Sequence, residues 1–268
     1  MYPIIMQKVF SEPWLIMPQA HEAIQQALMN HITSPQALAH PDEEEDDIET
    51  IESTNTTHVV SLHGIIGKHL SALEMACGGC SLDEFSQNLI QAATMAKASG
   101  GNVLVHINSP GGTVTGVPET AHLIRTLKQD VDIFAFTDSM MGSAATWIGL
   151  ACTAVISTPS ANVGSIGAYM AFIDQSARME KEGDKLLLFE AGAHKAIGLR
   201  PPTEEETKML QDNVDSIHAD FKASILIEHP DVEDSTMQGL VYKGSEAEKL
   251  GLVDAVVMSF EEALESIS

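Results

Sequence analysis

The sequence predicts an α/β domain with a mostly parallel sheet and helices packed on it. Short apolar strands alternate with helical stretches from His58 onward, and two of the strands run straight into glycine-bearing turns. The 268 residues, 44% of them hydrophobic, suffice to bury one substantial core. The predicted organisation is an N-terminal helical arm over 1–40, an acidic linker over 41–56 and the main domain over 57–268.

In the arm, Ala23, Ile24, Ala27 and Leu28 recur at the spacing of an amphipathic helix over His21–His31. The string PDEEEDDIETIE from Pro41 to Glu52 carries eight acids, which repel one another and stay in water. His58–His63 reads as a strand. Leu82–Ala98 reads as a helix, with Asp83 and Glu84 in its first turn and Gly100-Gly101 past its end. Asn102–Ile107 is a buried strand, Val117–Lys128 a helix and Val131–Thr137 a strand. Ser143–Ala151 is helical, and Ala154–Ser157 is a strand. Gly183 separates a short helix from a strand over Leu186–Phe189. Pro201-Pro202 and the capping box Thr203-Glu-Glu-Glu206 open the longest helix, ending at Glu228.

The composition excludes some functions. With 38 Asp+Glu against 14 Lys+Arg the formal charge is −24, a surface that repels phosphate backbones and anionic lipid. Nucleic acid is therefore not an expected partner. No apolar run reaches a membrane span, and the first residues lack the basic start and apolar run of a signal peptide, so a soluble chain is expected. The cysteines are Cys77, Cys80 and Cys152, which is no disulfide framework and fits a reducing compartment. Cys77-Gly-Gly-Cys80 is read as a glycine-rich loop because no second CxxC follows. No cofactor or metal is expected.

Chemistry concentrates after two strands. In Ser109-Pro-Gly-Gly112, Gly111 and Gly112 can turn sharply and present bare N–H groups to a developing oxyanion; a plain turn is the alternative. In Gly142-Ser143-Ala-Ala-Thr-Trp147, a hydroxyl stands at the start of a buried helix, either as a nucleophile or as an N-cap. A serine nucleophile needs a base, and no histidine lies between His122 and His194. Lys195, in the small-residue stretch Glu190-Ala-Gly-Ala-His-Lys-Ala-Ile-Gly198, is the candidate, since a buried lysine loses proton affinity. Lys181 and Lys185 read as solvated surface, and His194 as a packing or hydrogen-bonding residue.

Taken in order, Ser109–Gly112, Gly142–Trp147, Val163-Gly-Ser-Ile-Gly167, Lys195 and Gly239–Asp254 resemble the signal peptide peptidase A family of serine peptidases. Within it the sequence is most similar to the bacteriophage branch of head-maturation (prohead) proteases. The resemblance runs from about Thr57 to the C-terminus. It implies a ClpP/crotonase-like fold and a Ser–Lys dyad, with Ser143 as nucleophile, Lys195 as general base and Ser165 orienting the lysine. It also implies an oxyanion hole from Gly111 or Gly112 with the N–H of Ala144, and a homo-oligomer. Ala144-Ala-Thr-Trp147 departs from the common family text, which touches pocket shape more than chemistry; Met141 and Trp147 are expected to line a substrate pocket for small or apolar side chains.

The expected activity is endopeptidase cleavage of capsid or scaffold proteins, in the host cytoplasm or the prohead. The membrane anchor of the bacterial enzymes is not found, which favours the phage reading over a bacterial signal-peptide or protein-degrading peptidase. Two rivals are an acyl-CoA hydratase-like enzyme, disfavoured because Arg125, Arg178 and Arg200 are the only arginines available for CoA phosphates, and a non-catalytic assembly scaffold.

Overall fold

In a computed structural model the described residues are 13–33, 53–54, 57–171, 174 and 176–268. The acidic run from Asp42 to Glu52 lies outside them.

The centre is a six-stranded sheet that follows from buried apolar runs. Strand β6 (Asn102–Asn108) contains Val103, Leu104, Val105 and Ile107, all fully buried. A run apolar on both faces is the signature of a parallel strand covered on two sides. It pairs in parallel with β3 (Thr57–His63) and β8 (Ile133–Thr137). Beyond β8 come β10 (Ala154–Ser157) and β13 (Ala255–Val256), also parallel, while β2 (Ser53–Thr54) closes the other edge antiparallel to β3.

Two smaller sheets sit at the ends of these strands. One has the order β1 (Trp14–Ile16), β7 (Gly111–Thr113), β4 (Ile65–Gly67), β5 (Gly79–Ser81). The other has the order β12 (Val241–Lys243), β11 (Asn162–Gly164), β9 (Met140–Gly142). In chain terms, β3 runs into β4, β6 into β7 and β8 into β9, so each central strand turns outward through a short second strand. The mostly parallel α/β architecture is the one expected. The short second strands were not, because three residues carry too little periodicity to register.

Helices cover both faces. Helix α1 (Pro18–Thr33) follows β1, and the short α2 (Ala72–Ala76) precedes β5. Helix α3 (Leu82–Ser99) is capped by the Ser81 hydroxyl, which accepts from the Glu84 N–H, and buries Leu82, Phe85, Leu89, Ala92, Ala93 and Ala96 at three- and four-residue steps. Helix α4 (Val117–Leu127) and α5 (Ala144–Gly149) complete that core with Ile124, Trp147 and Ile148. On the opposite face Leu104, Phe136 and Ile156 pack under Ala263 of α9 (Phe260–Ser266). Between them in sequence lie α6 (Ser176–Glu182), the 25-residue α7 (Glu204–Glu228) and α8 (Gly244–Lys249).

Within the predicted arm, Trp14–Ile16 packs into the fold: β1 pairs antiparallel with β7 and its three side chains are buried. One expectation is corrected. Leu186–Phe189 is not a strand: it has no ladder partner among the described residues, and Leu187 and Phe189 are 69% and 93% exposed. An apolar run makes a strand only where a sheet edge is free to receive it.

Leu89→Ala should leave a cavity in the α3 face and lower unfolding free energy by about 2–5 kcal/mol. Denaturant unfolding measures this, and a loss below about 1 kcal/mol would show that the core collapses around the gap.

Candidate active site

Ser143 stands where β9 ends and α5 begins. Its backbone is at φ 53°, ψ −112°, a region that non-glycine residues avoid and that costs roughly 1–3 kcal/mol. The surroundings enforce it. The Ser143 N–H donates to the Gly164 carbonyl at 2.7 Å, and the Thr146 hydroxyl, buried below, lies 2.8 Å from that same carbonyl and 2.6 Å from the Met141 carbonyl. Trp147, one residue on, stacks on Phe221 of α7 with ring centres 4.5 Å apart, and its Nε1 donates to the Ser224 hydroxyl at 2.6 Å. Arg125 donates to that hydroxyl at 2.7 Å and pairs with Glu228 at 3.3 Å, so α4, α5 and α7 are pinned together beneath the serine.

Beside Ser143 lies the turn Ser109–Gly112. Gly111 is at φ 100°, and a Cβ there would come within 3.0 Å of the Ser143 Cβ and 2.2 Å of the Leu15 carbonyl. Only glycine permits this approach. At Gly112 a Cβ would overlap the Ile66 carbonyl at 1.8 Å, since β4 presses against it. The expected outward-pointing donors are therefore occupied in part: the Gly111 N–H donates to the Ser109 hydroxyl at 3.1 Å, which itself donates to the Gly64 carbonyl at 2.6 Å. The Ala144 N–H, first in α5, has no acceptor among the described residues.

Ser165 also sits at positive φ, 56°, with its N–H donating to the Leu240 carbonyl at 2.6 Å. Thus Ser143, Ser165, Gly111, Gly112 and Ala144 gather around the β9–β11 strand ends. Lys195 does not join them. It is exposed, and no hydrogen bond links it to Ser143 or Ser165 among the described residues. The Ser143 hydroxyl instead points to the Gly167 carbonyl at 3.5 Å. The expectation of a buried amine is corrected for the single chain.

The Lys195 segment is nonetheless anchored. Arg200 grips Glu206 through two bonds of 2.7 and 2.9 Å, Glu206 also accepts from the Thr203 N–H at 2.8 Å, and His194 Nδ1 lies 3.8 Å from the same carboxylate. Glu206 is 1% exposed. The Arg200 guanidinium and the Thr203 N–H hold its carboxyl down to about 2. This anchor was missed: the capping box was visible, but the arginine's partner was not. A cavity of about 690 Å3 opens beside it, lined by Met179, Leu186, Leu199 and Leu210 among others, away from Ser143.

Met141 and Trp147, expected as pocket walls, are core side chains at 0% and 3% exposure. The same helix that presents Ser143 turns Trp147 inward onto Phe221, and β9 alternation sends Met141 below the sheet.

The description Peptidase family S49 matches residues 125–267. The chain belongs to this family. Among relatives, the capsid assembly protease C of Escherichia phage lambda is 28% identical over 213 residues, covering 76% of this chain and 47% of that protein. The head-tail preconnector protein GP5 of Enterobacteria phage P21 is 25% identical over 207 residues, covering 76% of this chain and 41% of that protein. A Methanocaldococcus jannaschii protein named as a protease is 30% identical over 160 residues, covering 58% and 51%. The chain spans about half the length of these curated relatives. A solved stomatin-specific protease, carrying a serine-to-alanine substitution, aligns with a TM-score of 0.41 at 14% identity over 80% of this chain and 84% of that one. No helix among the described residues is long and apolar enough to cross a membrane.

The anchor predicts an acid dependence. A carboxyl held below its usual 4.5 stabilises the fold above that pH, and the contribution is lost as pH falls toward about 2. Glu206→Gln should therefore be less stable than wild type at pH 6, with the gap narrowing at pH 3. Urea unfolding at both values tests this; an equal gap would show that the pair contributes nothing through ionisation.

Proposed function

We propose that this chain is a serine endopeptidase in which Ser143 is the nucleophile and Lys195 the general base, acting on capsid or scaffold protein during phage head maturation. The observation that carries it is the strained φ of Ser143, held beside a glycine turn in a chain of a peptidase family. The phage relatives, one named for capsid assembly, support the substrate class.

Ser143 Oγ attacks the scissile carbonyl carbon while its proton passes to the neutral Lys195 Nζ. The Ala144 N–H, joined by Gly111 or Gly112 once freed from present contacts, stabilises the oxyanion; each such donor contributes about 10²–10³ in rate. The lysine proton then goes to the departing amine, leaving an acyl-enzyme, and water attacks by the same route to release the acid.

Catalysis requires Lys195 to leave solvent. Its segment exposes Leu187, Phe189 and Leu199, apolar surface that a second copy of the chain would cover. In that water-poor setting the amine would lie within reach of Ser143 to take its proton. Homo-oligomerisation is thus part of the mechanism. One observation favours a non-catalytic assembly role instead, namely the solvent-exposed lysine of the single chain.

Ser143→Ala and Lys195→Ala should each abolish cleavage of a capsid-type substrate, by about 10³-fold or more, without loss of folding. Full activity in Lys195→Ala would defeat the dyad; no reaction of wild type with a serine-directed fluorophosphonate would favour the scaffold role. Phe189→Asp should dissociate the assembly and lower activity in parallel, as light scattering and peptide turnover would report.

A further inference from the structure

Strand β1 lies directly on the strand that carries the glycines of the active-site turn. Its register sets Leu15 opposite Gly112 and Ile16 opposite Gly111, antiparallel. On its other side Trp14 and Tyr169 exchange backbone hydrogen bonds of 2.9 and 3.2 Å. The Met17 N–H continues the pairing to the Pro110 carbonyl at 2.9 Å, and the Met17 side chain lies 3.0 Å from where a Gly142 Cβ would be. Residues 14–17 thus run extended between two segments of backbone, with the Leu15 carbonyl against Gly111, whose other close neighbours are the Gly142 carbonyl and the Ser143 side chain.

With β4 on one side of β7 and β1 on the other, no edge is left for an incoming strand. Peptides that bind by adding a strand need such an edge. Ser143 itself is only 1% exposed, so a nucleophile at the surface of its fold is shut off from solvent.

We propose that Trp14–Met17 is a tethered occupant of the extended-peptide site beside Ser143, and that the site opens to substrate when this strand lifts. The inference rests on the peptidase reading of Ser143. It also specifies what the site accepts: an extended segment with large apolar side chains, since Trp14, Leu15 and Ile16 are 5%, 0% and 2% exposed in it.

Besides its backbone ladders and buried side chains, the strand is held by a polar latch. His21 of α1 is buried, its Nδ1 lies 2.7 Å from the Tyr169 hydroxyl, and its ring rests 4.9 Å from that of Trp14. The Trp14 indole Nε1 is buried with no hydrogen-bond partner among the described residues, which weakens the docked state. A strand with one unmet donor and a polar latch is suited to leave.

The test uses the full chain. Tyr169→Phe and His21→Ala each remove the latch hydrogen bond, and kcat/KM for an apolar peptide substrate should rise about three- to tenfold, mainly through KM. The amide-capped hexapeptide matching residues 13–18 should compete with substrate, and about three- to tenfold more strongly in the latch variants than in wild type. Unchanged turnover in both variants, turnover that falls with their melting temperature, or failure of the hexapeptide to compete in any form would each overturn the proposal. Ser143→Ala separates the two readings. If it still hydrolyses peptide, the nucleophile is elsewhere; if it does not and the latch variants behave as wild type, only the tethered-strand proposal falls.

Discussion

The positive φ of Ser143 is the constraint on which the site depends. A β-strand that turned into a helix by ordinary backbone angles would carry the hydroxyl away from the glycine turn. At φ 53° the Ser143 Cβ stands close against Gly111, and the Gly164 carbonyl holds that geometry by accepting from both the Ser143 N–H and the Thr146 hydroxyl. Gly164 belongs to β11, whose neighbours are β9 and β12, so the three-stranded sheet exists in large part to place one carbonyl. Strain of this kind persists only when several independent contacts over-determine it.

The same logic explains why α5 is buried on every side. Ala144, Ala145, Thr146, Trp147, Ile148 and Gly149 are all inaccessible, and the helix is held by Phe221 and Ser224 below. A nucleophile on a frayed surface helix would wander by more than the distance over which catalysis is sensitive, about 1 Å. Sinking the helix in the core fixes the serine at the cost of leaving it no room to adjust.

What the sequence disclosed was local. The parallel strands at 102–108, 133–137 and 154–157 and the helices at 82–99 and 204–228 were legible because their apolar spacing reports a local period. The candidate serines and glycines stand out in the sequence because each lies where a strand meets a turn. What stayed hidden was non-local. Nothing about Trp14–Ile16 announces that it pairs with Gly111–Thr113 nearly a hundred residues away, and nothing in Arg200 names Glu206 rather than another acid as its partner. Leu186–Phe189 misled for the complementary reason: its composition fits a strand, but no sheet edge among the described residues receives it.

In the proposed dyad, the two halves of the reaction thus stand at different levels of readiness. The serine side is built into the single chain, rigid and prepaid in backbone strain. The lysine side is a segment with apolar side chains in water and one firm anchor, the Arg200–Glu206 pair, which fixes its end but leaves Lys195 to be drawn in. A peptidase that works by the proposed dyad would gain from this separation, since neither half would act alone. In that mechanism, β1 beside Ser143 and Lys195 in solvent are two separate blocks on the same hydroxyl, and lifting β1 also withdraws Leu15 from the core. Activity in such a chain would be set by what binds it and by what departs, while the backbone strain at Ser143 stays in place.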